Sequence, residues 1–240
     1  ARDTIEGIRV ALKVPYPHLL TGAAMEALRN EVRVAARLEH PNILPLKYAD
    51  FINDRLVIVT ALGEMTLHER LQRRLSVDTG SNFAEQMLAA VACAHEHRII
   101  HCDIKPDNFL VFTGNRLRLT DFGIARVALR TLKGSGTGTV GYIAPEQAMG
   151  KPSFRSDVFS LGLILYRMFS GVLPEWPYVW PPPAFARLRH RLNPDLIDLI
   201  HKALQLEARR RYCDAGQMLA AFQRIKVPSV RHDRARSRAN

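Results

Sequence analysis

The run HCDIKPDNFLV at 101–111, followed by LTDFG at 119–123, constrains this chain more than any other feature. It sets carboxylates, a lysine and an asparagine at a spacing suited to phosphoryl transfer from a magnesium nucleotide. Asp103 can accept the proton of an attacking hydroxyl, and Lys105 can follow the migrating phosphoryl group. Asn108 and Asp121 can hold metal ions, with Asp121 as the anionic ligand. The apolar stretches Phe109–Phe112 and 117–119 read as short strands joined by a turn at Thr113-Gly114-Asn115. A hairpin of this kind returns Asp121 beside Asn108.

The rest of the chain has room for a domain around that loop. Its 240 residues are 47% hydrophobic and 24% charged, an ordinary globular composition sufficient for one large domain or two lobes. No apolar run approaches the roughly 18 residues that cross a bilayer, and ARDTIEGIRV lacks the apolar centre of a signal peptide. Cys93, Cys102 and Cys213 are widely spaced and odd in number, so they read as reduced thiols of a cytoplasmic protein. The net charge is +11, and part of it lies in a basic tail from Arg224 onward, expected to be flexible. A solvated linker accounts for that tail, as would contact with nucleic acid or anionic lipid, although no nucleic-acid module with stacking aromatics accompanies it.

Ahead of the loop, Ile8, Val10, Leu12 and Val14 alternate with polar or small residues, the period of a half-buried strand ending at Pro15. Lys13 projects from it. Thr21 can cap a helix carrying Ala24, Leu28, Val32, Ala35 and Leu38 at helical spacing, broken at His40-Pro41-Asn42. Two further strands are expected at 44–51 and 56–61, around a turn at Asn53-Asp54. Phe83, Met87, Leu88, Val91 and Ala94 mark a core helix ending near His97-Arg98, where His95 and His97 are expected to pack and cap rather than bind metal. Val158, Leu161, Ile164, Leu165 and Met168 give a second helix its buried face.

The two opening segments resemble the catalytic loop and metal-binding loop of protein kinases, the H-R-D-x-x-x-x-N and D-F-G patterns. The resemblance extends over nearly the whole chain to about Lys226 and is to bacterial, eukaryotic-like Ser/Thr kinases. It implies an α+β, two-lobed fold: a truncated β-rich small lobe and hinge over 1–62, a mainly helical large lobe over 63–226, and the basic tail over 227–240. Val10-Ala11-Leu12-Lys13 resembles the strand whose lysine holds the nucleotide phosphates, and Glu31 matches the helix glutamate that pairs with it, with Glu26 as the fallback. Thr60-Ala61-Leu62-Gly63 resembles the hinge, Ala61 and Leu62 offering backbone to adenine and Thr60 guarding the rear of the pocket.

By the same resemblance, Asp103 is the base, Lys105 marks Ser/Thr rather than Tyr as the acceptor, and His101 packs near Phe122. Thr139 and Ala144-Pro145-Glu146 match the peptide-positioning segment, with Glu146 pairing Arg211, and Asp157 bracing the catalytic loop. This segment points to a protein substrate, the chain itself included as an acceptor, and away from small-molecule phosphotransferases. Cys102 replaces the arginine that would pair with a phosphorylated activation loop, so phosphorylation at Thr131, Ser135 or Thr137 should tune activity only weakly.

A second departure qualifies the resemblance. Only ARDTIEGI precedes the lysine strand, where the family places two strands and a Gly-rich loop; Ala1-Arg2-Asp3-Thr4 resembles the end of the second strand. Losing about two or three charged hydrogen bonds to phosphate would weaken nucleotide binding by roughly 10²- to 10⁶-fold. The glycines in 134–138 follow no strand and open no helix, so they read as a loop rather than a phosphate cradle. The expected cofactors are ATP and Mg2+, and the expected reaction is γ-phosphate transfer to protein Ser/Thr hydroxyls. The alternative is a pseudokinase or scaffold. The stretch PEWPYVWPPP at 174–183 fits either partner docking or packing over the large lobe.

Overall fold

Alternation in the first strand sends Val10 and Leu12 to one face and Ala11 and Lys13 to the other, while its edge pairs with a neighbouring strand. The computed structural model describes residues 1–16, 22, 25–26, 29, 32–33, 36–53, 55–122 and 140–236. Strand β1 (Val10–Lys13) pairs antiparallel with β3 (Arg55–Ala61), which pairs antiparallel with β2 (Leu46–Ile52), giving the order β1-β3-β2. Leu56 and Ile58 are buried, with Val32, Leu46 and Ala49 packed against them. An isolated antiparallel bridge joins Arg2 to Arg9, and Lys47 ties Asp3 (2.9 Å) and Glu6 (2.6 Å) to β2. Hydrogen bonds from the Glu6 amide, Lys47 and the Ile5 amide lower the Asp3 pKa to about 2.

Between these strands, Gly22, Met25, Glu26, Arg29, Val32 and Arg33 are helical. Glu26 faces Arg29 and Arg33 at 3.9 and 3.7 Å and is largely exposed, so the fallback partner for Lys13 is a surface residue. Its nearby guanidiniums draw it outward.

A second sheet, β4 (Met65–Thr66), β5 (Phe109–Phe112) and β6 (Arg116–Leu119), lies at the junction of the lobes in the order β4-β5-β6. Residues 113–115 form the turn between β5 and β6, with Gly114 and Asn115 at φ 77° and 56°. Glycine and asparagine tolerate this left-handed backbone, so the sequence closes the hairpin locally. The backbone of Leu119 exchanges hydrogen bonds of 2.8 Å with Asn42 and Leu44, connecting the hairpin to the segment entering the small sheet.

Helix α1 (Leu67–Arg70) opens on a capping box between Thr66 and Glu69. Helix α2 (Val77–Glu96) opens on Ser76, whose hydroxyl accepts from the Thr79 amide at 3.1 Å, and buries the expected apolar stripe. Helix α3 (Pro145–Ala148) is a single turn. Helix α4 (Phe154–Ser170) is buried almost throughout and ends at Gly171, φ 79°. Its length of mixed apolar and small residues makes it the axis of the large lobe, because burial on several faces needs neighbours on several faces. Helices α5 (Phe185–Arg191), α6 (Pro194–Ala203) and α7 (Ala215–Arg236) complete the bundle. The backbone of α7 is helical through 227–236, within the stretch expected as a basic flexible tail; Arg231, Arg234, Ala235 and Arg236 favour a helix, while Pro228 does not.

The proline-rich stretch packs over the lobe. Tyr178 meets Phe159 edge-on with centroids 5.2 Å apart, Trp180 stacks on His201 at 4.0 Å, and the Tyr166 hydroxyl donates to the Pro183 carbonyl at 2.8 Å. Trp176 remains 67% exposed. Among the described residues no helix is long and apolar enough to cross a membrane.

Candidate active site

Asp103 occupies a loop between α2 and a 3₁₀ turn at Pro106–Asn108, and its neighbours fix it from two sides. The Asn108 side-chain amide donates to the Asp103 carbonyl at 2.8 Å and to Oδ2 at 2.9 Å, while Lys105 Nζ lies 2.9 Å from Oδ2. The second carboxylate oxygen carries neither contact. A hydroxyl arriving there meets an acceptor whose orientation is already set, and Lys105 supplies positive charge beside it.

The loop around Asp103 is held from below by Asp157 on α4, which is 1% exposed. Asp157 Oδ2 accepts from the His101 amide at 2.8 Å and Oδ1 from the Cys102 amide at 3.0 Å. The Ala215 amide donates to His95 Nδ1 at 3.0 Å, which leaves the ring proton on Nε2 to donate to Asp157 Oδ2 at 2.9 Å. One buried carboxylate therefore ties α2, the catalytic loop and the start of α7 together. These bonds hold Cys102 at φ 65°, a left-handed conformation that costs a non-glycine residue about 1–2 kcal/mol. The Gln147 side-chain amide also donates to the Cys102 carbonyl.

Across the cleft, Lys13 Nζ pairs with Asp121 Oδ1. Asp121, at φ 63°, follows a turn in which the Thr120 amide donates to the Asn108 carbonyl at 2.9 Å. The hairpin therefore brings Asp121 next to Asn108. His101 Nε2 lies 3.0 Å from the Thr120 carbonyl, and its ring sits 5.0 Å from that of Phe122, consistent with packing instead of proton transfer.

The donor set suits a hard divalent cation and nucleotide phosphate. Because the Asn108 amide nitrogen is committed to Asp103, its oxygen points along the opposite branch. Asp121 keeps Oδ2 beyond its contact with Lys13. An amide oxygen and a carboxylate oxygen match magnesium, while no cluster of three or more His, Cys, Asp or Glu occurs among the described residues. Thr60 and Ala61 end β3, and Leu62 follows them half exposed at the junction. Glu31 and Thr139 lie outside the described residues.

The segment after the activation loop is anchored by a buried ion pair. Arg211 is 0% exposed and donates to Glu146 Oε1 at 2.7 Å and Oε2 at 3.0 Å. It also donates to the carbonyls of Gln205, Leu206 and Arg155, and stacks over Phe159 at 4.6 Å. Ser156 adds a 2.7 Å bond to Glu146. Burial pushes the Glu146 pKa up, but the hydrogen bonds from Arg211 and Ser156 outweigh it, and the net shift is downward.

Lys13, Asp103, Lys105, Asn108 and Asp121 thus converge on one cleft, with Asp157, Glu146 and Arg211 behind it. Sequence reasoning missed Gln147 and Ser156 as supports and the role of His95 toward Asp157. The burial of His95 follows from the stripe it shares with Met87, Leu88 and Val91; its partner sits on another helix and leaves no local signal.

Comparison with known proteins gives the same picture. The family model described as "Protein kinase domain" matches residues 1–221. The chain is 30% identical over 239 residues to the probable serine/threonine-protein kinase PknB of Lactococcus lactis, covering 90% of this chain and 38% of that protein. It is 34% identical over 182 residues to the serine/threonine-protein kinase PrkC of Bacillus subtilis, covering 72% and 28%. To an Aurora kinase of Schizosaccharomyces pombe it is 29% identical over 224 residues, covering 88% and 63%. The aligned region spans less than two thirds of each of these relatives.

Proposed function

Because this chain belongs to the protein kinase domain family, we propose that it transfers the γ-phosphoryl group of ATP, with magnesium, to Ser or Thr hydroxyls of proteins. The observation that carries this reading is Asp103 held by Asn108 and Lys105 on a loop braced by Asp157, facing the Lys13–Asp121 pair. Asn108 and Asp121 would hold the magnesium, which supplies charge neutralisation of the phosphates when bound. Lys13 binds the nucleotide phosphates, and Glu31 is its proposed partner on the helix.

In the transfer, a Ser or Thr hydroxyl oxygen forms a bond to the γ-phosphorus as the bond to the β,γ-bridging oxygen breaks. The hydroxyl proton goes to Asp103, and the electron pair of the broken bond leaves on ADP. Lys105 offsets charge on the migrating group. Thr60, Ala61 and Leu62 are the proposed adenine contacts. Cys102 is a buried neutral thiol, which cannot reward a phosphorylated loop with a bidentate pair, so we assign weak dependence on such phosphorylation. The similarity to serine/threonine-protein kinases of two bacteria supports the acceptor class.

The test is phosphoamino-acid analysis after incubating the chain with γ-labelled ATP, magnesium and a generic basic protein. Label in phosphoserine or phosphothreonine is expected in the added protein and in the chain. Absence of label, or label confined to phosphotyrosine, would sink the reading.

A further inference from the structure

Away from the catalytic cleft, three segments distant in sequence enclose a second cavity of about 620 Å³. They are the turn after α1 (71–75), the end of α4 (167–171) and α5. Arg73, Arg74, Arg167, Arg187, His190 and Arg191 line it, and no carboxylate does among the described residues. None of the five arginines takes part in an ion pair among the described residues.

Part of this charge has a structural task. Arg191 donates to the carbonyls of Phe169 at 2.8 Å and Leu75 at 2.5 Å, and Arg187 to that of Ser170 at 3.3 Å. They thereby satisfy the C-terminal end of α4, where positive charge is favoured. Burial, and to a lesser extent the neighbouring charge of Arg74, pulls the Arg191 pKa below its ordinary value. Arg73, Arg74 and His190 are exposed, and among the described residues no side-chain hydrogen bond accounts for them. The two arginines add like charge beside Arg191.

We propose that this basic cavity binds an acidic stretch of a protein substrate, an inference that rests on the kinase reading for the nature of the occupant. Two observations select this partner. Arg167, in the wall of the cavity, donates to the Tyr142 hydroxyl at 2.7 Å, and Tyr142 lies two residues before the Ala144-Pro145-Glu146 segment that positions the acceptor peptide. Gly141 packs so closely on Leu173 that an added Cβ would lie 2.8 Å from it. The wall of the cavity is thus tied through Arg167 to the segment that leads into the peptide-positioning residues. Its concave, arginine-lined shape suits a few carboxylate or phosphate groups, which guanidinium forks bind bidentately. Single-stranded nucleic acid, by contrast, needs exposed aromatic platforms, and the aromatic ring here, Phe169, is buried.

Fluorescence anisotropy with the whole chain and no nucleotide tests the pocket separately from catalysis, so its failure leaves the phosphotransfer reading intact, and the reverse holds. The probes are a labelled Asp/Glu peptide, a phosphoserine peptide, and a single-stranded oligonucleotide of matched charge. At least one peptide should bind, and the stronger of the two identifies carboxylate or phosphate as the natural group. Arg73→Glu with Arg74→Glu, both at exposed positions, should weaken binding roughly tenfold or more, while Arg209→Glu with Arg210→Glu, an equal charge change elsewhere, should change it less than about threefold. Equal losses in both double variants, no binding of either peptide, or tighter binding of the oligonucleotide would overturn the proposal.

Discussion

Replacing Asp157 by asparagine removes one charge and changes no shape, which isolates what its carboxylate does. In the parent, Oδ2 accepts from the His101 amide and His95 Nε2, and Oδ1 from the Cys102 amide. Asparagine offers one accepting oxygen. If that oxygen faces His101 and His95, the amide NH2 confronts the Cys102 N–H, donor against donor. A charge-assisted hydrogen bond worth about 1.5–3 kcal/mol is lost and a buried N–H is left unsatisfied at about 1–3 kcal/mol, so Asp157→Asn should cost about 3–5 kcal/mol. The reversed orientation loses two bonds and costs more. At about 2–4 °C per kcal/mol for a chain of this size, Tm should fall by roughly 6–20 °C. The lost bond also holds Cys102 at its left-handed φ, so the rate of phosphoryl transfer should drop at temperatures where the variant remains folded. Thermal unfolding and single-turnover transfer check both effects, with Asp198→Asn, an exposed position on α6, expected within about 0.5 kcal/mol of the parent. An Asp157→Asn protein that melts within about 2 °C of the parent, or transfers at the parent rate, would refute the reasoning.

Glu146 should make stability depend on pH in a definite direction. Its folded pKa lies below the ordinary 4.5, so its contribution is present above that value and is lost as pH falls through the folded pKa. In denaturant titrations from neutral pH to about pH 3, the stability gap between the parent and Glu146→Gln should narrow on acidification; a constant gap would contradict the assignment. Arg211→Met should cost about 3–5 kcal/mol at neutral pH, read from the same titrations, because it leaves a partly buried carboxylate and several carbonyls without their donor. Gly162→Ala should destabilise by about 1–2 kcal/mol despite the better helix propensity of alanine. Its Cβ would lie 2.9 Å from that of Ala203 and 3.1 Å from Leu204 Cδ2, forcing α6 away from α4; a raised Tm would show that the contact can relax.

The hairpin and the long helices were legible because their signals are local. Apolar runs flanking Gly114-Asn115 can do little except fold back, and the apolar spacing in α2 and α4 specifies which faces are buried. The placement of Asp103, Lys105, Asn108 and Asp121 about one hairpin follows from the same short segment. The contact of Lys13 with Asp121, 108 residues away, left no local signal, because a lysine on a strand can meet any carboxylate nearby. Likewise, the basic cavity leaves no motif, since Arg73, Arg167 and Arg191 stand in unrelated surroundings until α4 and α5 pack. The basic tail was expected from its charge alone, and the backbone of α7 is helical through 227–236.

The central claim, that Asp103 is the oriented acceptor for the substrate proton, is tested most directly by the single-turnover rate of Asp103→Asn measured beside its affinity for ATP and magnesium. The account predicts a rate lower by about 10²- to 10⁴-fold with nucleotide affinity changed less than about threefold, because Asp103 contacts Asn108 and Lys105 and meets the hydroxyl, not the adenine or the phosphates. An unchanged rate in Asp103→Asn would contradict it.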